Sequence, residues 1–283
     1  MSVKPTMYSR HQIADSIVAR IDSETLARAR RDFVASQPTP WFVIDDLLPA
    51  DMAHVIRRAF PLPSEMRERK TLREHKYVAA QMDRQDPQAE EALFAFHDDR
   101  VVDVIARITG LRSLHADPQL YAGGISLMQR GNFLNPHLDN SHNYDRTLYR
   151  VLNLLHYLSP GWGLANGGHL ELWPDGVKGE PVAIPSVFNR LVVMGTGPGS
   201  WHSVSAVQGS DFRCCVSNYY FSPEPIGEQP YFRVTSFRGR PEQPLRNLVL
   251  RLDAALRHGI RMLVPGGVAK TTHMYDRKDK SDR

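Results

Sequence analysis

The chain of 283 residues has little cysteine: Cys214 and Cys215 are the only two, and they are adjacent. Neighbours on a strand point to opposite faces, which excludes an ordinary disulfide between them, and the spaced pair that a zinc site needs is absent. So few thiols are expected of a reducing, cytoplasmic setting. Long apolar runs are missing too. No stretch approaches the roughly 18 to 20 apolar residues of a membrane span, and residues 1–20 lack a segment of signal-peptide type. No membrane partner is expected. Charge of one sign is scarce: 35 Lys and Arg face 31 Asp and Glu for a net charge of +4, and no run of five basic residues occurs. The tail 277–283 mixes signs and reads as a solvated end, and no basic strip is interleaved with aromatics. Nucleic acid is therefore not the expected partner. Internal repeats and low-complexity tracts are absent, and nothing specifies an oligomeric state.

What is present is the composition of a globular protein, 42% hydrophobic and 23% charged. Residues 12–33 carry helical spacing through Ile13, Ile17, Ile21 and Leu26, with a break at Asp22 or Ser23. Residues 41–44 read as a buried strand, 50–60 as a helix closed by Pro61 and Pro63, and 63–76 as a charged, exposed stretch. Two further helices are predicted over 88–97 and 100–109, the second stopped by Gly110.

From Leu120 the texture changes to short β-branched and aromatic runs between Gly, Pro and Asn clusters. Strands are predicted at 124–129, 134–139, 148–158, 168–173, 181–184, 190–194, 200–207 and 212–221, which suits a two-sheet roll. After Pro223 the pattern is irregular until 246–263, where Leu248, Leu252, Leu256, Ile260 and Leu263 recur at helical spacing. The chain thus divides into a helix-and-strand region 1–119, a β core 120–223 and an extension 224–283 with a helix, read as one structural domain. The fold class is mainly β with flanking helices (α+β).

Chemistry concentrates in His137-Leu138-Asp139, with His202 and Arg213 farther along. Strand residues two apart share a face, so His137 and Asp139 can reach one metal. Two imidazoles and one carboxylate occupy one face of an octahedral ion and leave the other open, the arrangement of non-heme Fe(II) oxygenases. The His-x-Asp spelling recurs at His97-Asp98-Asp99 and His115-Ala116-Asp117, outside the β-rich region, and both are read as solvated polar groups. His142 is expected to border the site, and His156 and His169 to be satisfied strand residues. The strand over 149–158 is apolar on both faces, which puts Asn153 and Tyr157 inside. A buried tyrosine hydroxyl without a partner costs about 1–3 kcal/mol. Arg213 opens an otherwise uncharged strand, so it either reaches the surface or is buried with an anion. Asp211 is one candidate for that anion and a bound dicarboxylate another.

Pro136-His137-Leu138-Asp139-Asn140, the run from Arg150 to Leu158 continuing into Ser-Pro-Gly-Trp, Gly167-Gly168-His169-Leu170-Glu171-Leu172-Trp173, His202-Ser203-Val204 and Arg213 follow one family in order. Over about 124–221 the chain resembles the prolyl-hydroxylase-like group of the 2-oxoglutarate/Fe(II)-dependent dioxygenase superfamily. The resemblance implies a double-stranded β-helix core of the jelly-roll, cupin-like kind. It implies Fe(II), 2-oxoglutarate and O2 as cofactor and cosubstrates, with His137, Asp139 and His202 as the metal ligands. Arg213 would pair with the distal carboxylate of 2-oxoglutarate, helped by Tyr157; Asn153 and Leu155 would line that pocket and Tyr219 would pack near it. Two positions depart from the pattern: Met128 stands where relatives often carry tyrosine, and Cys215 where many carry serine.

The implied activity is hydroxylation of a C–H bond in a small molecule or a peptidyl or amino-acid substrate, with release of succinate and CO2. Asp139 favours oxidation over halogenation, because halogenating relatives leave a small residue there. Oxidative demethylation of nucleic acid and a non-enzymatic cupin-like module binding metal or sugar are the alternatives. The cupin module would show a clustered His-x-His with a nearby Glu. The loop 140–147, the segment 70–83 and the region after Pro223 are expected to frame the entrance, where specificity is set.

Overall fold

The computed structural model describes residues 8–121, 123–227, 229–263 and 275, excepting the side chains of 258 and 260–263. The first half is helical with an inserted hairpin. Helix α1 (Arg10–Arg20) begins where the Ser9 hydroxyl and Gln12 form a reciprocal cap, and α2 (Ser23–Ala35) begins at Asp22, whose carboxylate takes the Thr25 N–H. That cap is why the predicted 12–33 helix breaks at Asp22. Strand β1 (Trp41–Ile44), α3 (Ala50–Arg58), strands β2 (Arg67–Lys70) and β3 (Glu74–Ala79), α4 (Pro87–Phe94) and α5 (Asp99–Thr109) follow. Gly110, at φ 73°, closes α5 in the left-handed conformation.

The remaining strands are β4 (His115–Ala116), β5 (Gly124–Met128), β6 (Phe133–Leu138), β7 (Tyr149–Tyr157), β8 (Leu170–Leu172), β9 (Val182–Ile184), β10 (Arg190–Gly195), β11 (His202–Val204), β12 (Arg213–Ser222) and β13 (Ser236–Phe237). Helix α6 (Pro244–Leu263) ends the described chain. The strands form one antiparallel sheet in the order β1-β10-β7-β12-β5-β3-β6-β11-β8-β9, with β2 paired to β3, β4 to β12 and β13 to β6. The sheet curls into a jelly-roll core, and all eight strands predicted between 124 and 221 form, with ends moved by one to three residues.

Strand alternation sorts the side chains. Leu191 and Val193 of β10, Leu152 and Leu154 of β7, and Cys214, Val216 and Tyr220 of β12 point outward into the cluster shared with helices α1 to α5. Val192, Met194, Tyr157 and Cys215 point inward with Leu170, Leu172 and Ile184 of the facing strands. The adjacent cysteines thus lie on opposite faces, free and buried. Among the described residues no helix is long and apolar enough to cross a membrane.

One expectation is corrected here. The 63–76 stretch is largely exposed as read, but Glu74 within it is buried: β2 and β3 form a hairpin, and β3 sits between β5 and β6, joining the two sides of the roll. Its charges are tolerated because Glu74, itself buried, binds Arg69 and Lys76. In α6 the periodic residues Leu248, Leu252 and Leu256 are exposed, whereas Leu250 and Ala254 are buried. The predicted positions Ile260 and Leu263 fall among the side chains outside the description.

Candidate metal centre and cosubstrate pocket

Strand β6 carries His137 next to its last residue, and Asp139 follows directly after the strand. His202 opens β11 and lies opposite His137 in the register. His137 Nε2 is 3.7 Å from Asp139 Oδ1, His202 Nε2 is 3.6 Å from Asp139 Oδ2, and the two imidazole centroids are 4.1 Å apart. One ligand atom from each residue lies within 4.8 Å of the others. Both Nδ1 atoms lie 3.0 Å from a backbone carbonyl two residues earlier, those of Asn135 and Ser200. Donation from Nδ1 to these carbonyls leaves both Nε2 lone pairs free for a metal. Phe237 of β13 stacks on the His137 ring at 4.9 Å and 14°.

Asp139 is oriented from behind. Asn153 Nδ2 donates to its Oδ2 at 2.7 Å, and Arg150 Nη1 is 3.5 Å from Oδ1. Arg150 is 1% exposed, lies 4.2 Å over the Tyr219 ring and donates to the Tyr121 carbonyl. Burial alone would raise the Asp139 carboxyl, but Arg150 and the two imidazoles outweigh it and hold the group below the ordinary carboxylate range. Burial, together with the neighbouring His202, pushes the His137 imidazole down to about 3. A neutral imidazole beside an ionised carboxylate is the protonation state a cation requires.

Arg213, at 3% exposure, enters the cavity from the start of β12. Its guanidinium lies 4.7 Å over the Tyr157 ring, and Nη1 meets Met128 Sδ at 3.7 Å. Asp211, the acidic neighbour in sequence, is exposed and accepts the Phe212 N–H instead. Among the described residues no carboxylate pairs with Arg213. Its Nε and the Tyr157 hydroxyl are buried without a hydrogen-bond partner. A buried cation left unpaired is costly, so the pair fits an anion placed between them. Burial raises the Tyr157 hydroxyl to about 12, which keeps it a donor.

The triad, Arg213, Asn153, Leu155 and Tyr219 line one cavity of about 310 Å³. Met128 and Cys215, the two departures from the family pattern, line it as well. Arg150, Glu74, Lys76 and Phe237 were not singled out from the sequence. Arg150 carried a usable signal, since it is a lone arginine near the start of an otherwise largely apolar strand, as Arg213 is.

The other histidines separate from the site. His97 Nε2 donates to Asn218 Oδ1 at 2.9 Å and the ring is pushed down to about 4 by burial, while Asp98 caps α5. Asp117 is buried and accepts the N–H groups of Gln119 and Tyr121. The solvated reading is therefore corrected: Asp117 is buried and His97 half-buried, with local hydrogen bonds offsetting desolvation. His142 bonds Ser141 Oγ and packs on Tyr149. His156 bonds Asn189, and His169 bonds the Leu164 carbonyl and the Ser186 N–H.

A curled antiparallel roll with a His-Asp-His cluster, beside a buried arginine that has no acidic partner among the described residues, has the donor set suited to iron and 2-oxoglutarate. Residues 123–221 match the model of the 2OG-Fe(II) oxygenase superfamily. Among solved structures, a prolyl-4-hydroxylase from Pseudomonas putida is 21% identical, with a TM-score of 0.51 over 69% of this chain and 98% of that one. A prolyl 4-hydroxylase from Phytophthora capsici is 16% identical, with a TM-score of 0.53 over 92% and 81%. The non-heme alpha-ketoglutarate-dependent carbocyclase SnoK of nogalamycin biosynthesis is 13% identical, with a TM-score of 0.53 over 92% and 97%. At these identities the likeness is one of fold. No curated protein matches the chain by sequence.

Proposed function

We propose that the protein hydroxylates a C–H bond of a small molecule or of a peptidyl or amino-acid group. His137, Asp139 and His202 hold the iron, and Arg213 with Tyr157 holds the far carboxylate of 2-oxoglutarate. The observation that carries this reading is the coincidence, in one cavity, of the triad with a buried guanidinium that has no acidic partner among the described residues. Bound iron with 2-oxoglutarate supplies the oxidising power, turning cosubstrate and dioxygen into succinate, carbon dioxide and a hydroxylated product.

The chain's own residues do the positioning. The carbonyls of Asn135 and Ser200 hold both imidazoles in the ligating tautomer, and Asn153 and Arg150 fix the carboxylate. Arg213 accepts a carboxylate in a plane set by the Tyr157 ring, and the Tyr157 hydroxyl donates to it. Asn153, Leu155 and Tyr219 form the wall of this pocket. Asp139 as a ligand favours hydroxylation over halogenation. The free, buried thiols of Cys214 and Cys215 support a reducing, cytoplasmic setting.

Asp139→Ala is expected to abolish succinate formation coupled to product, measured by mass spectrometry of both. Undiminished coupled turnover would remove Asp139 from the ligand set.

A further inference from the structure

Two carboxylates, Glu74 in the wall of the metal cavity and Asp253 paired with Arg257 of that wall, are each shared between two cations. Glu74 binds Arg69 Nε through Oε1 at 2.9 Å and Lys76 Nζ through Oε2 at 3.0 Å. On α6, Asp253 binds Arg73 through Oδ1 and Arg257 Nη2 through Oδ2, the latter at 2.8 Å. Each group of three therefore keeps one positive charge in surplus. Arg69, Lys76 and Arg257 all line the cavity that holds the triad. Donors remain for a ligand: Lys76 gives one of its three N–H bonds to Glu74, and Arg257 spends only Nε and Nη2 on Asp253.

The surplus persists after loading. In formal charge, Fe(II) cancels 2-oxoglutarate and Arg150 cancels Asp139, which leaves Arg213 and both surplus cations. A low-dielectric cavity focuses such a field on whatever enters. Resting on the oxygenase reading above, we propose that the substrate is an anion bearing a carboxylate or phosphate group. Lys76, Arg69 and Arg257 hold that group while a C–H bond faces the triad. A neutral substrate gains nothing from these charges and a cationic one is repelled.

The test uses the full chain loaded with Mn(II) and 2-oxoglutarate, titrated with inorganic phosphate at constant ionic strength by calorimetry. Phosphate is expected to bind without displacing 2-oxoglutarate. Lys76→Gln and Arg257→Gln should each weaken it about three- to fivefold, and Asp253→Asn should strengthen it by a similar factor. A folding defect does not produce opposite signs. Equal phosphate affinity in all variants, or displacement of 2-oxoglutarate, overturns the inference while leaving the cosubstrate site intact. Failure of the wild type to bind 2-oxoglutarate with Mn(II) overturns both. In a second arm, the Fe(II) enzyme is screened for succinate release with carboxylic acids against their amides and phosphate esters against their alcohols. Stimulation by the charged members supports the inference and tells carboxylate from phosphate; equal stimulation by neutral members overturns it.

Discussion

Arg213 shows how a single side chain ties geometry to ligand. It is buried, touches a tyrosine ring and a thioether, and has an Nε without a partner. In the anchoring role proposed above, removing its charge would remove one half of a desolvated ion pair with the cosubstrate, a loss of about 2–5 kcal/mol. Arg213→Gln should raise the 2-oxoglutarate dissociation constant of the Mn(II)-loaded protein accordingly, measured by calorimetry; an unchanged constant would argue against the anchor. The sequence marked Arg213 as the lone charge opening an apolar strand and left open whether it is buried, which the structure now shows. Arg150 has the same sequence signature, yet its contact with Asp139 depends on β7 and β6 meeting across the roll, and no local pattern encodes that distance. His97 and Asp117 misled for the opposite reason, since short polar spellings at element ends do not reveal the packing above them.

At the scale of elements, the β core was legible throughout, because two-residue alternation and Gly, Pro and Asn punctuation survive wherever one face is buried. The β2–β3 hairpin was not, because its charges are neutralised by ion pairs instead of being turned to solvent. The segment after Pro223 was foreseen only as part of the entrance, and two contacts now fix it. Phe237 stacks on His137, and Arg240 Nη2 donates to Glu171 Oε2 at 2.6 Å, where the Ser203 hydroxyl also donates. Arg240→Ala should release the stretch around β13, at a cost of about 1.5–3 kcal/mol for a hydrogen bond to a charged group. Faster amide exchange at residues 236–240, with exchange in β7 and β12 unchanged, is the expected signature. Uniform exchange across all strands would show instead that the whole fold is weakened.

For the whole molecule, the helices that cover the outer face of the sheet also bury titratable groups. His156, 2% exposed between that sheet and Phe96, is pushed down from 6.5 to about 4 by burial. Its folded value lies below its unfolded value, so the unfolded chain takes up the proton first as pH falls. The protein therefore loses stability from about pH 6.5 downward, and the loss is complete below about pH 4; this one group accounts for about 3 kcal/mol. Denaturant unfolding of the metal-free protein between pH 7.5 and 4.5 should show that decline added to those of His97 and His137, and His156→Gln should lessen it by the share of this one group. A decline of the same size in the variant would assign it to other groups.

The most direct test of the metal centre is an anaerobic titration with Fe(II) and 2-oxoglutarate followed by visible absorption. A weak charge-transfer band should appear only when both are present, saturate at one iron per chain, and vanish in His202→Ala. No band in the wild type, or a band undiminished in His202→Ala, would contradict a ferrous ion held by His137, Asp139 and His202.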